Sequence, residues 1–272
     1  MSSSEDTLNQ DKEIPRFNVN ARLIVIPSGV RSEFNYSKYQ DVKRIIPGVF
    51  LAKKANKNLR EKLTEFQNLR FMKAKEIPKS DSRRLIPFQE RIFTIVVYSF
   101  DKASAQQKKG IQRLLVKAPS IRIRPGVLLF PHLRSKERAR YYSDSQNGTI
   151  LDSKLFYEQT KLIGARVIRW TRLRPANKIT IDHINQSFDK MIHHEIGLFD
   201  EKINQIKLMI GDPSVSTISL KQQHKSLTTR YRKMKLKYAT MKAIWQYDSE
   251  KHWKRIYNRL LKIRREIDDR RV

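Results

Sequence analysis

The sequence predicts an α+β protein: two ferredoxin-like β-α-β-β-α-β units in tandem, the first degenerate, followed by a long antiparallel helical hairpin. Three observations predict it. The octets Arg44-Ile45-Ile46-Pro47-Gly48-Val49-Phe50-Leu51 and Arg122-Ile123-Arg124-Pro125-Gly126-Val127-Leu128-Leu129 are similar and stand 78 residues apart. Their neighbours recur in the same order, an apolar strand before each octet and a helical segment and basic strand after it. Such ordered recurrence is the mark of a repeated supersecondary unit. From residue 176 onward the apolar residues fall three or four apart, the period of a helix.

The elements follow in order. Residues 1–15 are polar, end at Pro15 and are expected to form a disordered tail. In the first unit, 16–79, the strand 22–26 leads into 28–42, which is short and aromatic and leaves room only for a stunted helix. Pro47-Gly48 makes a tight turn, 58–66 a helix and 70–75 a basic strand. In the second unit, 80–175, the strand 91–100 precedes Ser104 and Gln107, a capping box that satisfies orphan amides at a helix start. That helix stops before Pro119. Pro125-Gly126 turns the chain between strands 120–124 and 127–131, and a polar loop follows to Ile150. Asp152 or Ser153 caps the next helix, Gly164 ends it, and 166–173 is the last strand. In the third region, 176–272, Thr180 or Asp182 opens a helix whose stripe runs from Ile181 to Ile210 before Gly211-Asp212-Pro213 stops it. A second helix is expected over 219–268, antiparallel to the first.

Charge points to the partner. Lys and Arg number 57 against 27 Asp and Glu, a formal net charge of +30. Such a surface repels itself and attracts polyanions, of which nucleic acid is the most abundant in a cell. The absence of Cys excludes disulfides, thiolate metal sites and cysteine nucleophiles. No Gly-rich phosphate loop, nucleophile elbow or kinase signature occurs. No apolar run approaches the roughly 20 residues of a membrane span, and no leader-like segment opens the chain. These features predict a cytoplasmic protein with no cofactor. The expected partner is nucleic acid, with DNA favoured over RNA, and a homodimer is compatible with the sequence.

The candidate binding residues are basic. In Ile121-Arg122-Ile123-Arg124 the alternation places both Arg122 and Arg124 on one sheet face. Arg166, Arg169, Arg172 and Arg174 accompany Trp170 on the last strand, so an Arg and aromatic face is expected to hold phosphates and stack bases. Arg134, Arg138 and Arg140 lie in the polar loop beside two Tyr. From Lys221 to Val272 there are 17 Lys and Arg against five Asp and Glu. In that segment Arg230, Lys233, Lys237, Arg255, Arg259, Lys262 and Arg265 surround the apolar stripe and are expected to meet phosphates. Asp101, following the first strand of the second unit, is the one catalytic candidate, able to hold Mg²⁺. Asp189 and His193 stand at helical i,i+4 spacing and are candidate metal ligands. Bland alternatives stay open: Asp101 as a residue favoured by a helix dipole, and the basic residues as a solvated surface.

The segment Ser120-Ile121-Arg122-Ile123-Arg124-Pro125-Gly126-Val127-Leu128-Leu129-Phe130-Pro131, with the helix, strand and helical tail after it, resembles the N-terminal region of the ChrB chromate-resistance regulators. The resemblance covers roughly residues 91–270 and extends distantly to the ferredoxin-like CRISPR spacer-integration proteins and the C-terminal part of the PaaX repressor. It implies a non-catalytic regulator or nucleic-acid adaptor. The spacer-integration relatives often carry an Asp directly after the Tyr that ends strand one; here Ser99 follows Tyr98 and the nearest acid is Asp101. A metal-dependent nuclease and an RNA-associated structural factor are the alternatives.

Overall fold

A computed structural model of the chain describes residues 17–30, 34–54, 56–76, 91–132, 150–245 and 249–270. The expected tail 1–15 and the loop bearing Arg134, Arg138 and Arg140 lie outside them.

The chain forms one eight-stranded antiparallel sheet and a set of long helices. Strands β1 (Arg22–Val25), β2 (Val42–Ile46), β3 (Val49–Ala52) and β4 (Leu69–Lys73) belong to the first half. Strands β5 (Phe93–Ser99), β6 (Ile121–Arg124), β7 (Val127–Pro131) and β8 (Arg166–Pro175) belong to the second. Their spatial order is β2-β3-β1-β4-β8-β5-β7-β6. Each half therefore places its last strand beside its first, then its third and second, and the halves join through β4 and β8. Helix α1 (Lys57–Lys62) belongs to the first half, α2 (Ala105–Lys117) and α3 (Ser153–Leu162) to the second. Where the second half has α2, the described residues of the first form a 3₁₀ turn at Tyr36–Lys38.

The local chemistry explains the elements. Ser104 and Gln107 form the expected capping box of α2, and the Asp152 carboxylate accepts from the Lys154 and Leu155 amides at the start of α3. Gly48 and Gly126 both take left-handed backbone, at φ +73° and +78°, as their hairpin turns require. The backbone amides of Ile26 and Tyr98 donate to the carbonyls of Gly48 and Gly126 respectively. A register shift falls between Arg44 and Ile46 in β2, and again between Arg122 and Arg124 in β6. The two halves thus share a strand order and an irregularity at the same place in the repeated octet.

The sheet is rolled. Five strand spacings separate β1 from β6, about 24 Å if flat at about 4.8 Å each. Yet Arg124 Nη1 donates to the Ile26 carbonyl at 2.7 Å and lies over Gly48, in the space a Cβ there would fill. The inner face carries one continuous core across both halves, including Leu23, Val25, Phe71, Phe93, Ile95, Leu129, Trp170 and Leu173. The outer face carries two separate cores, one under α2 and α3 and one under α1.

The inner face is filled by helices. Helix α4 (Lys178–Gly211) buries Ile184, Phe188, Ile192, Ile196, Phe199, Ile203 and Ile206. Its cap is Asn177, whose side chain accepts from the Thr180 amide, one turn earlier than Thr180 or Asp182. The expected second helix over 219–268 is two helices, α5 (Thr217–Trp245) and α6 (Glu250–Asp269), and the expected hairpin is a three-helix bundle. Helix α6 reverses against α5, since His224 lies 3.0 Å from the Leu260 carbonyl and Lys221 pairs with Asp268. The reason is length. The 34 residues of α4 span about 51 Å, whereas 50 continuous residues would span about 75 Å and overhang with their stripe in water. Folding back buries Trp253, Ile256, Leu260, Ile263 and Ile267 instead. Trp245, 1% exposed, ties the bundle to the sheet, packing on Phe93 and Phe188 and donating its indole N–H to the Pro119 carbonyl at 3.2 Å.

Candidate nucleic-acid interface

The two outer cores leave a seam over β4 and β8. Inner residues Leu69 and Phe71 of β4 are buried, while outer residues Arg70 and Met72 are half-buried. Register places Arg22 and Arg174 on either side of Met72, so two guanidinium groups flank it on the outer face. Arg60 of α1 joins them: its charge and that of Arg174 hold the Arg22 pKa down, after burial. Further along β8, Arg172 and Arg169 continue the stripe; at its end Lys73, opposite the inner Leu173 in register, donates to the Thr171 carbonyl at 2.9 Å and adds its charge.

A bulge builds this stripe. Ile95 pairs with Trp170 and Phe93 with Leu173, leaving Thr171 and Arg172 against the single residue Thr94. Arg172 takes positive φ, 59°, a strained backbone for a residue with a side chain that the bulge accommodates. Trp170 and Leu173 are three apart and would face opposite ways on a regular strand; the extra residue turns both inward. Arg169, Arg172 and Arg174 are left outside together.

His132, at the end of β7, closes the stripe. Its ring lies 3.2 Å from the Thr94 hydroxyl, and its pKa is pushed down to about 4 by burial, then by Arg172, Arg169 and Lys73. Among the described residues no carboxylate stands within salt-bridge distance of Arg22, Arg60, Lys73, Arg172 or Arg174. The arrangement is a positive groove, half-desolvated at its floor, with no carboxylate paired to those five cations among the described residues.

The structure corrects several expectations. Trp170 is buried in the inner core beside Phe17, 6.2 Å between ring centres, so no Arg and aromatic face exists on β8 and none of its rings can stack a base. Arg122 and Arg124 do not share a face. The β6 bulge sets Arg122 opposite the outer Leu128 and Arg124 opposite the inner Val127, and Arg124 is engaged by the Ile26 carbonyl. Arg166 points away from the groove and pairs with Asp101 at 3.1 Å. Asp101 thus faces a guanidinium at an exposed site, and among the described residues no group of three or more His, Asp or Glu can hold a metal. His193 bonds the Asp189 backbone carbonyl at 2.7 Å and packs against His252, a helix-interface role for that candidate metal pair.

The bundle's basic residues divide. Arg230 pairs with Glu195 and lies over the Phe199 ring. Arg255 and Arg259 both engage Asp200, and Arg259 also bonds Asn204. Lys233, Lys262 and Arg265 are exposed with no acid within salt-bridge distance among the described residues. Lys237 is half-buried and stands apart from them, beside β6. Sequence reasoning missed Arg22, Arg60, Lys73 and His132; the recurrent basic strands were visible, but nothing in the sequence states that their outer faces become neighbours. No helix among the described residues is long and apolar enough to cross a membrane. Comparison with family models, curated proteins and solved structures finds no match.

Proposed function

We propose that this protein is a non-catalytic nucleic-acid-binding regulator or adaptor of the ChrB-like kind, built on tandem ferredoxin-like units, with DNA the favoured ligand. The observation that carries the reading is the stripe of Arg60, Arg22, Arg174 and Arg172 over the β4–β8 seam, with no carboxylate within salt-bridge distance of them among the described residues, extended by Lys73 and Arg169. Apart from Arg60 on α1, its residues stand on paired strands, so their backbone positions are preset rather than diffuse. Among the described residues no exposed ring lies on the groove floor, so the contacts offered by β4 and β8 go to the phosphate backbone and depend weakly on sequence. The exposed Lys233, Lys262 and Arg265 add a second, more mobile cationic surface.

The test is anisotropy of labelled duplex DNA, single-stranded DNA and RNA of equal length at matched salt. Replacing Arg174 by Glu, a change at an exposed position, is expected to weaken every ligand by about tenfold or more, since a repulsion replaces an attraction. Unchanged binding in that variant refutes the groove. Tighter binding of RNA than of DNA at equal salt refutes the DNA assignment and favours an RNA-associated factor.

A further inference from the structure

A second cationic site lies on the opposite side of the second half. A cavity of about 440 Å³ opens between the edge strand β6, α4 and α5, within the range of small-molecule sites. Arg122 stands on β6 and Ser120 just before it; His183 and Lys190 project from α4 seven residues apart, on one helix face; Lys237 enters from α5. Three cations and an imidazole converge here, and among the described residues no carboxylate lines the cavity.

The groups are not satisfied by one another. Among the described residues Lys237 makes no hydrogen bond and no ion pair, and neither does the buried Ser120 hydroxyl. Burial holds the Lys237 pKa down against the pull of Glu195, a carboxylate already paired with Arg230. His183 is likewise pushed down by burial and by Lys190. Lys237 is half-buried beside two further cations, and gathering like charges at one cavity without an anion is unfavourable. A compact anion reverses that by accepting hydrogen bonds from Lys237, Arg122 and Ser120 at once, the charge-assisted kind that are strongest. A tetrahedral dianion offers acceptors in several directions, as this convergence of donors from three elements requires. We propose that this cavity binds a phosphoryl group. The site is independent of the seam groove, and neither proposal needs the other.

The test is calorimetric titration of the full-length protein with inorganic pyrophosphate and phosphate at constant ionic strength. Saturable binding near one site per chain is expected. Lys237→Met, which keeps the volume and removes the charge, is expected to weaken it at least about tenfold, and Lys190→Met to weaken it in the same direction. Both variants should melt no lower than wild type without ligand, which separates lost binding from lost folding. The groove variant Arg174→Glu should bind pyrophosphate as wild type does. A tighter complex with an oligonucleotide bearing a 5′-phosphate than with one bearing a 5′-hydroxyl, abolished by Lys237→Met, assigns the group to a polynucleotide end. Pyrophosphate binding without that preference assigns it to a small phosphorylated molecule. No saturable heat, or a loss in Arg174→Glu with none in Lys237→Met, overturns the proposal.

Discussion

The salt dependence of binding follows quantitatively from the groove. It presents six cations: Arg22, Arg60, Lys73, Arg169, Arg172 and Arg174. If each neutralises one phosphate, counterion release gives a slope of log affinity against log salt of about −4 for a single strand and about −5 for duplex DNA. Between 50 and 200 mM salt the affinity should then fall roughly 300-fold for a single strand and roughly 2000-fold for a duplex. The perturbation is Arg60→Ala, Arg172→Gly and Arg174→Ala together. All three side chains are exposed, and glycine suits the left-handed backbone at residue 172, so the fold should survive. Three lost contacts reduce the slope to about −2 for a single strand, or about −3 for a duplex. The assay is fluorescence anisotropy at five salt concentrations, beside a control with Lys233, Lys262 and Arg265 all changed to Ala. A slope unaltered by the groove triple, or altered more by the control triple, would refute the reasoning and move binding to the bundle.

Other consequences are open to direct measurement. His132, with its pKa near 4 in the fold against an ordinary 6.5, is neutral in the native state. As pH falls below 6.5 the unfolded chain takes up its proton first, so stability is complete above pH 6.5 and declines toward pH 4. For a partly exposed group the loss should be on the order of 1–3 kcal/mol; urea unfolding should record it, and His132→Gln should flatten it. A phosphate in the groove offsets the cations around His132, so binding should take up a proton and tighten from pH 7.5 to 5.5, seen as buffer-dependent heat in calorimetry. Gly126→Ala should destabilise more than Gly48→Ala in denaturant titrations. Left-handed backbone costs each about 1–2 kcal/mol, but a Cβ at 126 meets the Tyr98 backbone carbonyl at 2.5 Å, whereas one at 48 meets only the movable Arg124 side chain. Trp245→Ala should cost about 3–5 kcal/mol and loosen the bundle from the sheet, visible as faster amide exchange in β5.

How far the sequence could be read depends on the range of the interaction concerned. The capping box at Ser104, the Asp152 cap, the Pro-Gly turns and the α4 stripe are set by residues a few positions apart, and periodicity finds them. The break between α5 and α6 is different. A continuous stripe is compatible with either one helix or two, and the choice is made by the length of α4, a tertiary partner. The face of each arginine failed for a third reason. Strand alternation assumes one residue per step, and bulges at Ile123 and at Thr171-Arg172 each add one. A single added residue reverses every side chain beyond it. That is why Arg122 and Arg124 part company, and why Trp170 goes inward while its arginine neighbours stay outside.

The same bulge suggests why the positive groove lies where it does. A strand between two halves has neighbours on both sides and must fill the inner core without gaps, so Trp170 and Leu173 must both point in. Regular alternation cannot deliver that pair at a spacing of three; an inserted residue in left-handed backbone can. Its strain at Arg172 is tolerated because both flanks are held, Ala74 donating to the Arg172 carbonyl at 2.8 Å on one side and the β5 ladder on the other. Joining the halves through β4 and β8 also leaves their outer helices apart, because α1 and α3 pack toward their own units. Packing the inside thus determines the outside: one residue that lets two apolar side chains share a core leaves three arginines on the outer face, Arg169 held by Ser153 at the start of α3 and Arg172 and Arg174 exposed beyond it. Arg172→Pro, which forbids positive φ, should therefore cost both the fold of β8 and the binding, whereas Arg172→Gly should keep the first and lose only part of the second.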